Sequence, residues 1–151
     1  VTAAISYFAM ATGQGISVHH VGTRHESNEH VPDTETQINR QLFWARYVDW
    51  AITTPLLLLD LGILAGLSGA HILMAIIADI VMILMGLFSA MHARRAAKWG
   101  DYTIAVIAFL VVIWHLALNG RNAVKARSQK VGSFYTAIAA YTIVVWAAYP
   151  M

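Results

Sequence analysis

Arg46-Tyr47-Val48-Asp49-Trp50-Ala51-Ile52-Thr53-Thr54-Pro55, then Leu56 to Leu59, then Asp60, places an arginine and two carboxylates inside one long apolar run. A charge at mid-membrane costs at least about 2.5 kcal/mol on insertion scales, so such residues face a bundle interior or a water-filled path. Asp49 and Asp60 are eleven positions apart, close to three helical turns, which puts them on one face roughly 16 Å apart along the axis. Arg46 and Thr53 share that face. The helix carries a polar stripe in the order Arg46, Asp49, Thr53, Asp60, with leucines between the last two. A cation one turn away favours the ionised form of Asp49, whereas leucine neighbours favour the protonated form of Asp60. One anionic acceptor and one neutral donor on a single stripe, separated by a dry gap, suit directional proton transfer. A pair of structural carboxylates bonded to neighbouring helices is the plainer alternative. Pro55 frees the carbonyl of Ala51 and is expected to kink the helix.

The rest of the chain has the same character. Of 151 residues, 58% are hydrophobic and 12% charged, and the mean hydropathy is +0.59. Soluble domains run at about 45–50% apolar and about 25% charged. Apolar stretches run from about Val1 to Val18, Leu42 to Leu67, Ala70 to Met91, Tyr102 to Leu118 and Ser133 to Pro150. Each is near the length that crosses a roughly 30 Å hydrocarbon core as a helix. A lipid-embedded backbone must bond internally. The expected fold is therefore an all-α membrane protein with five transmembrane helices, lying in the bilayer as a multi-pass chain. The net charge of +2 gives no argument for nucleic acid, and the absence of cysteine excludes thiolate metal sites. The basic residues are spread too evenly over the two sides to set an orientation. His19, His20, His25 and His30 crowd the long polar link from His19 to Gln41, but in no compact metal-ligand spacing, and a solvated loop is expected. Asp79 is a third intramembrane carboxylate, with Thr54 as a hydrogen-bond partner across the helices. Trp99 and Trp114 read as interface anchors, and His115 as a core histidine.

The run from Arg46 to Asp60 resembles the third helix of the microbial rhodopsins, in particular the light-driven proton pumps of the fungal-like eukaryotic branch. Ala78-Asp79-Ile80-Val81-Met82 with Gly86 resembles the fourth helix, and Trp146-Ala147-Ala148-Tyr149-Pro150 the sixth. Ser6-Tyr7 and Met10 to Gly13 resemble the second. The resemblance implies that residues 1–151 are part of one seven-helix domain around all-trans retinal, covering its second to sixth helices. The first and seventh helices, and the lysine that holds retinal as a protonated Schiff base, would lie outside this chain. Lys98, Lys125 and Lys130 all fall in polar links. By position, Asp49 is the counterion and proton acceptor, Thr53 bonds it, Arg46 steers the proton outward, and Asp60 is the donor. Trp50 and Trp146 would sandwich the polyene, with Tyr149 and Pro150 beside it and Met82 and Gly86 near the ring. Asp79 and Thr54 would bond nearby, and Tyr7 would approach Asp49 and Arg46. Tyr102 stands where many relatives have a pocket tryptophan, and Ala105 and Phe109 also fall on pocket-facing positions. The long first link would be extracellular, where the family often forms a short β-hairpin.

The function implied is an outward, light-driven proton pump, an ion transporter with no metal, in the plasma membrane. Its partners are the bilayer and the transported proton, with room for a homo-oligomer. A sensory photoreceptor with a slow cycle is the alternative, which the carboxylate at Asp60 disfavours. The acid at Asp49 disfavours a chloride pump, and Thr53 with Asp60 disfavours a sodium pump. A relative without the retinal lysine, working as a membrane chaperone, is the non-photochemical reading.

Overall fold

A computed structural model describes the backbone of residues 1–28, 31–125 and 129–148, and the side chains outside 20–38 and 125–130. The chain order is α1 (Thr2–Ala11), β1 (Ser17–Asn28), β2 (Val31–Leu42), α2 (Trp44–Ala65), α3 (Gly69–Met91) and α4 (Arg95–Ile113). A π-helical segment (Trp114–Gly120), α5 (Arg121–Lys125) and α6 (Gln129–Ala148) follow. Among the described residues, four helical stretches are long and apolar enough to cross a membrane: Trp44–Ala65, Gly69–Met91, Arg95–Val124 and Val131–Ala148.

The first apolar run departs from the expected span. Its helix stops at Ala11, short of the expected end near Val18. Thr12 turns its hydroxyl back to the carbonyls of Phe8 and Ala9. Gly15 then takes φ +70, a left-handed conformation that side chains strain to adopt. It lies so close to α2 that an added Cβ would come within 2.6 Å of the Ala45 Cβ. The polar link is an antiparallel hairpin, as the family resemblance implied, where the histidine-rich link by itself suggested a solvated loop. β1 and β2, of twelve residues each, pair from Ser17 opposite Leu42 to Asn28 opposite Val31, with irregularities at His20/Gly22 and Glu26/Asn28. Thr, Val and Ile recur through the link, and paired backbone satisfies the groups a loop would leave to water.

The fourth helix begins at Arg95, seven residues before the expected start, so Lys98 lies in its first turns. The polar lead Arg95-Ala96-Ala97-Lys98 favours helix, and long cationic side chains can reach the interface from a helix end. Past the apolar run the chain stays helical to Lys125. α2 closes on Gly66, whose φ of +73 gives the left-handed cap.

Packing divides the bundle into two halves. One is close-packed: Leu58, Leu61 and Ala65 of α2 meet Ala75 and Ala78 of α3, then Val112, Leu116, Val124, Tyr135 and Ala139. Small residues set the spacing. A Cβ on Gly62 would fall 2.6 Å from Cγ1 of Ile72. Tyr135, 1% exposed, donates its hydroxyl to the carbonyl of Leu116 inside the π segment at 2.8 Å, and its ring end fills the space above Gly120. The other half, towards the hairpin, is hollow. Large apolar side chains such as Ile77, Ile107, Leu110 and Trp114 stay exposed around the outside, which suits a protein solvated by lipid.

Candidate functional site

The hollow half holds a cavity of about 860 Å³ between α2, α3, α4 and α6. Each helix lines it with residues at helical spacing: Tyr47, Trp50 and Thr54 from α2; Met82, Gly86 and Ser89 from α3; Trp99, Tyr102, Ala105, Val106 and Phe109 from α4; Val145 and Trp146 from α6. Its outer mouth is formed by Arg40, Gln41, Leu42, Phe43 and Lys98. The wall is aromatic and apolar, with few polar groups, as in sites for elongated organic ligands. The edge of Tyr47 packs on that of Trp50, ring centroids 5.4 Å apart, and Trp99 packs edge-on to Tyr102 at 5.8 Å.

The polar stripe of α2 runs beside this cavity. Arg46 lines it, with its guanidinium carbon 5.9 Å from the ring centroids of both Phe43 and Trp50. Asp49 is 4% exposed, and its Oδ1 is buried without a hydrogen-bond partner. Buried carboxylate oxygens are seldom left so, because the desolvation of an unpaired polar atom is uncompensated. Thr53 does not bond this carboxyl group. Its hydroxyl donates to the backbone carbonyl of Asp49 at 2.9 Å, the preceding-turn bond available to any helical threonine.

Thr54 ties α2 to α3. Its Oγ1 lies 2.7 Å from the carbonyl oxygen of Trp50 and 2.6 Å from Oδ2 of Asp79. A hydroxyl has one proton but two lone pairs. The hydroxyl donates to Oδ2 of Asp79, and the Trp50 carbonyl is a second acceptor within reach of the same proton. Asp79 is fully buried, and its Oδ1 has no hydrogen-bond partner among the described residues.

Asp60 differs from its expected setting. Asp49 is buried and Asp60 is exposed on this chain. Of the four intervening leucines, Leu58 alone is buried, at 2% exposure, while Leu56 is 56% exposed. The reason is geometric. In this half of α2 the buried positions Leu58, Leu61, Gly62 and Ala65 lie on the side opposite Asp60, at 100° per residue. The stripe is thus covered at its Asp49 end and open at its Asp60 end.

Of the other expected site residues, Trp50, Thr54, Met82, Gly86, Tyr102, Phe109 and Trp146 line the cavity together. Tyr7 sits on α1, which packs against α2, and is 45% exposed. Tyr149 and Pro150 lie outside the described residues. Tyr47, Ser89 and Val145 were not anticipated. Tyr47 was legible, because positions 47, 50 and 54 form one helical stripe. Trp99, read as an interface anchor, lines the mouth as well as being 58% exposed.

The sequence profile of the bacteriorhodopsin-like proteins matches residues 1–151. The chain belongs to that family. It is 50% identical to Opsin-1 of Neurospora crassa over 153 aligned residues, which cover all of this chain and half of that protein. Among solved structures it is similar to the light-driven proton pump LR (Mac) from Leptosphaeria maculans, with a TM-score of 0.87 and 55% identity over 99% of this chain and 60% of that one. It is also similar to the light-driven proton pump of Coccomyxa subellipsoidea, with a TM-score of 0.81 and 36% identity. This bacteriorhodopsin-like chain is therefore an integral, multi-pass membrane protein of the fungal-like branch, and part of a seven-helix bundle. It spans about half the length of Opsin-1. Retinal, bound to a lysine as a Schiff base, is the cofactor of these rhodopsins. The residues present fit such a group: the cavity has a largely aromatic and apolar lining, and Asp49, next in sequence to the lining residue Trp50, keeps a buried Oδ1 with no partner among the described residues, the feature a cationic nitrogen would complete.

Proposed function

We propose that the whole protein is a light-driven outward proton pump and that residues 1–151 supply its acceptor, its donor and most of the retinal wall. The carrying observation is the buried, unpartnered Oδ1 of Asp49 beside the aromatic cavity. The likeness to LR (Mac), itself a light-driven proton pump, supports the same reading. When bound, retinal supplies a cationic nitrogen whose proton affinity changes on photoisomerisation. Trp50 and Trp146 would hold the polyene, Met82 and Gly86 would shape the ring end, and Tyr102 and Phe109 supply the wall of α4. Asp49 balances the positive charge and takes a proton at Oδ1. Arg46, one turn nearer the hairpin on the same face, marks the hairpin side as the exit for that proton. Asp60, on the same face and covered by the remainder of the bundle, returns a proton from the opposite side. The leucines between the two acids block a direct leak.

The test uses the full-length protein with retinal in cells or vesicles. Illumination acidifies the outside, and a protonophore abolishes the change. Asp49→Asn removes the signal. Absence of any light-dependent pH change in the folded, coloured protein overturns the pump reading.

A further inference from the structure

His71, near the start of α3, and His115, in the π segment, meet in the close-packed half, away from the cavity. Their ring centroids are 5.2 Å apart, with planes tilted by 49°. His71 is exposed and His115 half-buried. Asn119, one turn on in the same segment, places its side-chain amide 3.1 Å from Nδ1 of His115. As placed, the amide nitrogen donates to Nδ1, which leaves the proton of a neutral His115 ring on Nε2. A metal ion on this ring displaces either that proton or the amide. The His71 ring makes no described hydrogen bond, with His115 or any other group. Two nitrogens bound to one zinc ion at about 2.0–2.1 Å each lie within about 4 Å of one another. Rings already 5.2 Å apart reach that by rotation about their side-chain bonds. The residues sit where α3 meets a π segment, a helical irregularity that recurs at functional sites.

We propose that His71 and His115 bind a divalent transition-metal ion (zinc, nickel or copper) at this end of the bundle. Imidazole pairs suit these ions. Among the described residues no group of three or more histidine or acidic side chains converges, so water completes the coordination and the site is open and exchangeable. It is separate from the retinal wall and from the proton stripe.

The test uses the full-length, retinal-bound protein in nanodiscs, with His19, His20, His25 and His30 of the hairpin changed to Gln to remove competing imidazoles. Copper(II) titration gives one bound equivalent, and its electron paramagnetic resonance spectrum shows coupling to two imidazole nitrogens. His71→Ala and His115→Ala each lose that equivalent and that two-nitrogen coupling. Nickel raises the thermal midpoint of the parent and of neither variant. His71 is exposed, so its substitution leaves the packing intact, and retained pigment colour verifies folding. Unchanged stoichiometry and spectrum in His71→Ala, or no binding by the parent, overturns the proposal.

Discussion

Asp49 and Asp79 are both buried acids on neighbouring helices, yet their surroundings assign them different work. Asp79 is bonded to Thr54 at 2.6 Å and joins α2 to α3. Asp49 has no such tie at Oδ1 and stands beside the cavity. Thr54→Val should therefore leave a buried carboxyl oxygen unpaired and lower stability by about 1–3 kcal/mol, read as a fall in the temperature at which the pigment bleaches. Thr53→Val removes a bond to its own helix backbone and should lower it by less than about 1 kcal/mol. An equal loss in the two variants would place Thr53 on the carboxyl group of Asp49. For Asp60, Asp60→Asn should slow recovery of the pigment after a flash by on the order of 10²-fold, the scale of general acid catalysis. Added azide, a small mobile acid, should restore part of the rate. Unchanged recovery would remove Asp60 from the donor role.

At the scale of elements, α4 and α6 are joined by an unusual contact. The π segment exposes the carbonyl of Leu116, and the buried hydroxyl of Tyr135 takes it. Gly120 is the position that makes room, since an added Cβ there would collide with the phenol oxygen and ring carbons of Tyr135. Gly120→Ala should destabilise the protein by about 1–3 kcal/mol, as overpacking does. Combining it with Tyr135→Phe should recover part of the loss, because the oxygen in the way is gone. Thermal denaturation of the two single variants and the pair measures the coupling. Strict additivity would show that the two residues do not meet.

At the scale of the whole molecule, the bundle is dry and tight in one half, hollow in the other, and apolar around its outside. Ile107, near the middle of the Arg95–Val124 span, is 57% exposed. Ile107→Asp should raise the apparent free energy of inserting that helix by about 2.5–3.5 kcal/mol, on the biological insertion scale. Glycosylation mapping of the inserted fraction reads this directly. A soluble fold would be expected to give a far smaller effect for an exposed residue.

Much of this was written along the chain. Helical class, lipid surroundings and the family follow from long apolar runs and from Arg46 to Asp60, because a buried charge in lipid is costly enough to mark its own position. Trp50, Thr54, Met82, Gly86, Tyr102, Phe109 and Trp146 were legible as one site through motifs on separate helices, and the cavity gathers them. Other features depended on long-range contact. Gly13 and Gly15 signalled a break that the apolar run concealed, so α1 ends at Ala11. The hairpin needed the pairing of β1 with β2, which no local pattern specifies. The π segment exists where Tyr135, far along the chain, meets Leu116 and Gly120. The unequal burial of Asp49 and Asp60, on one face of α2, depends on which helices pack against each half of it. A residue's periodicity sets the face on which it lies; what stands against that face is a property of the packed molecule.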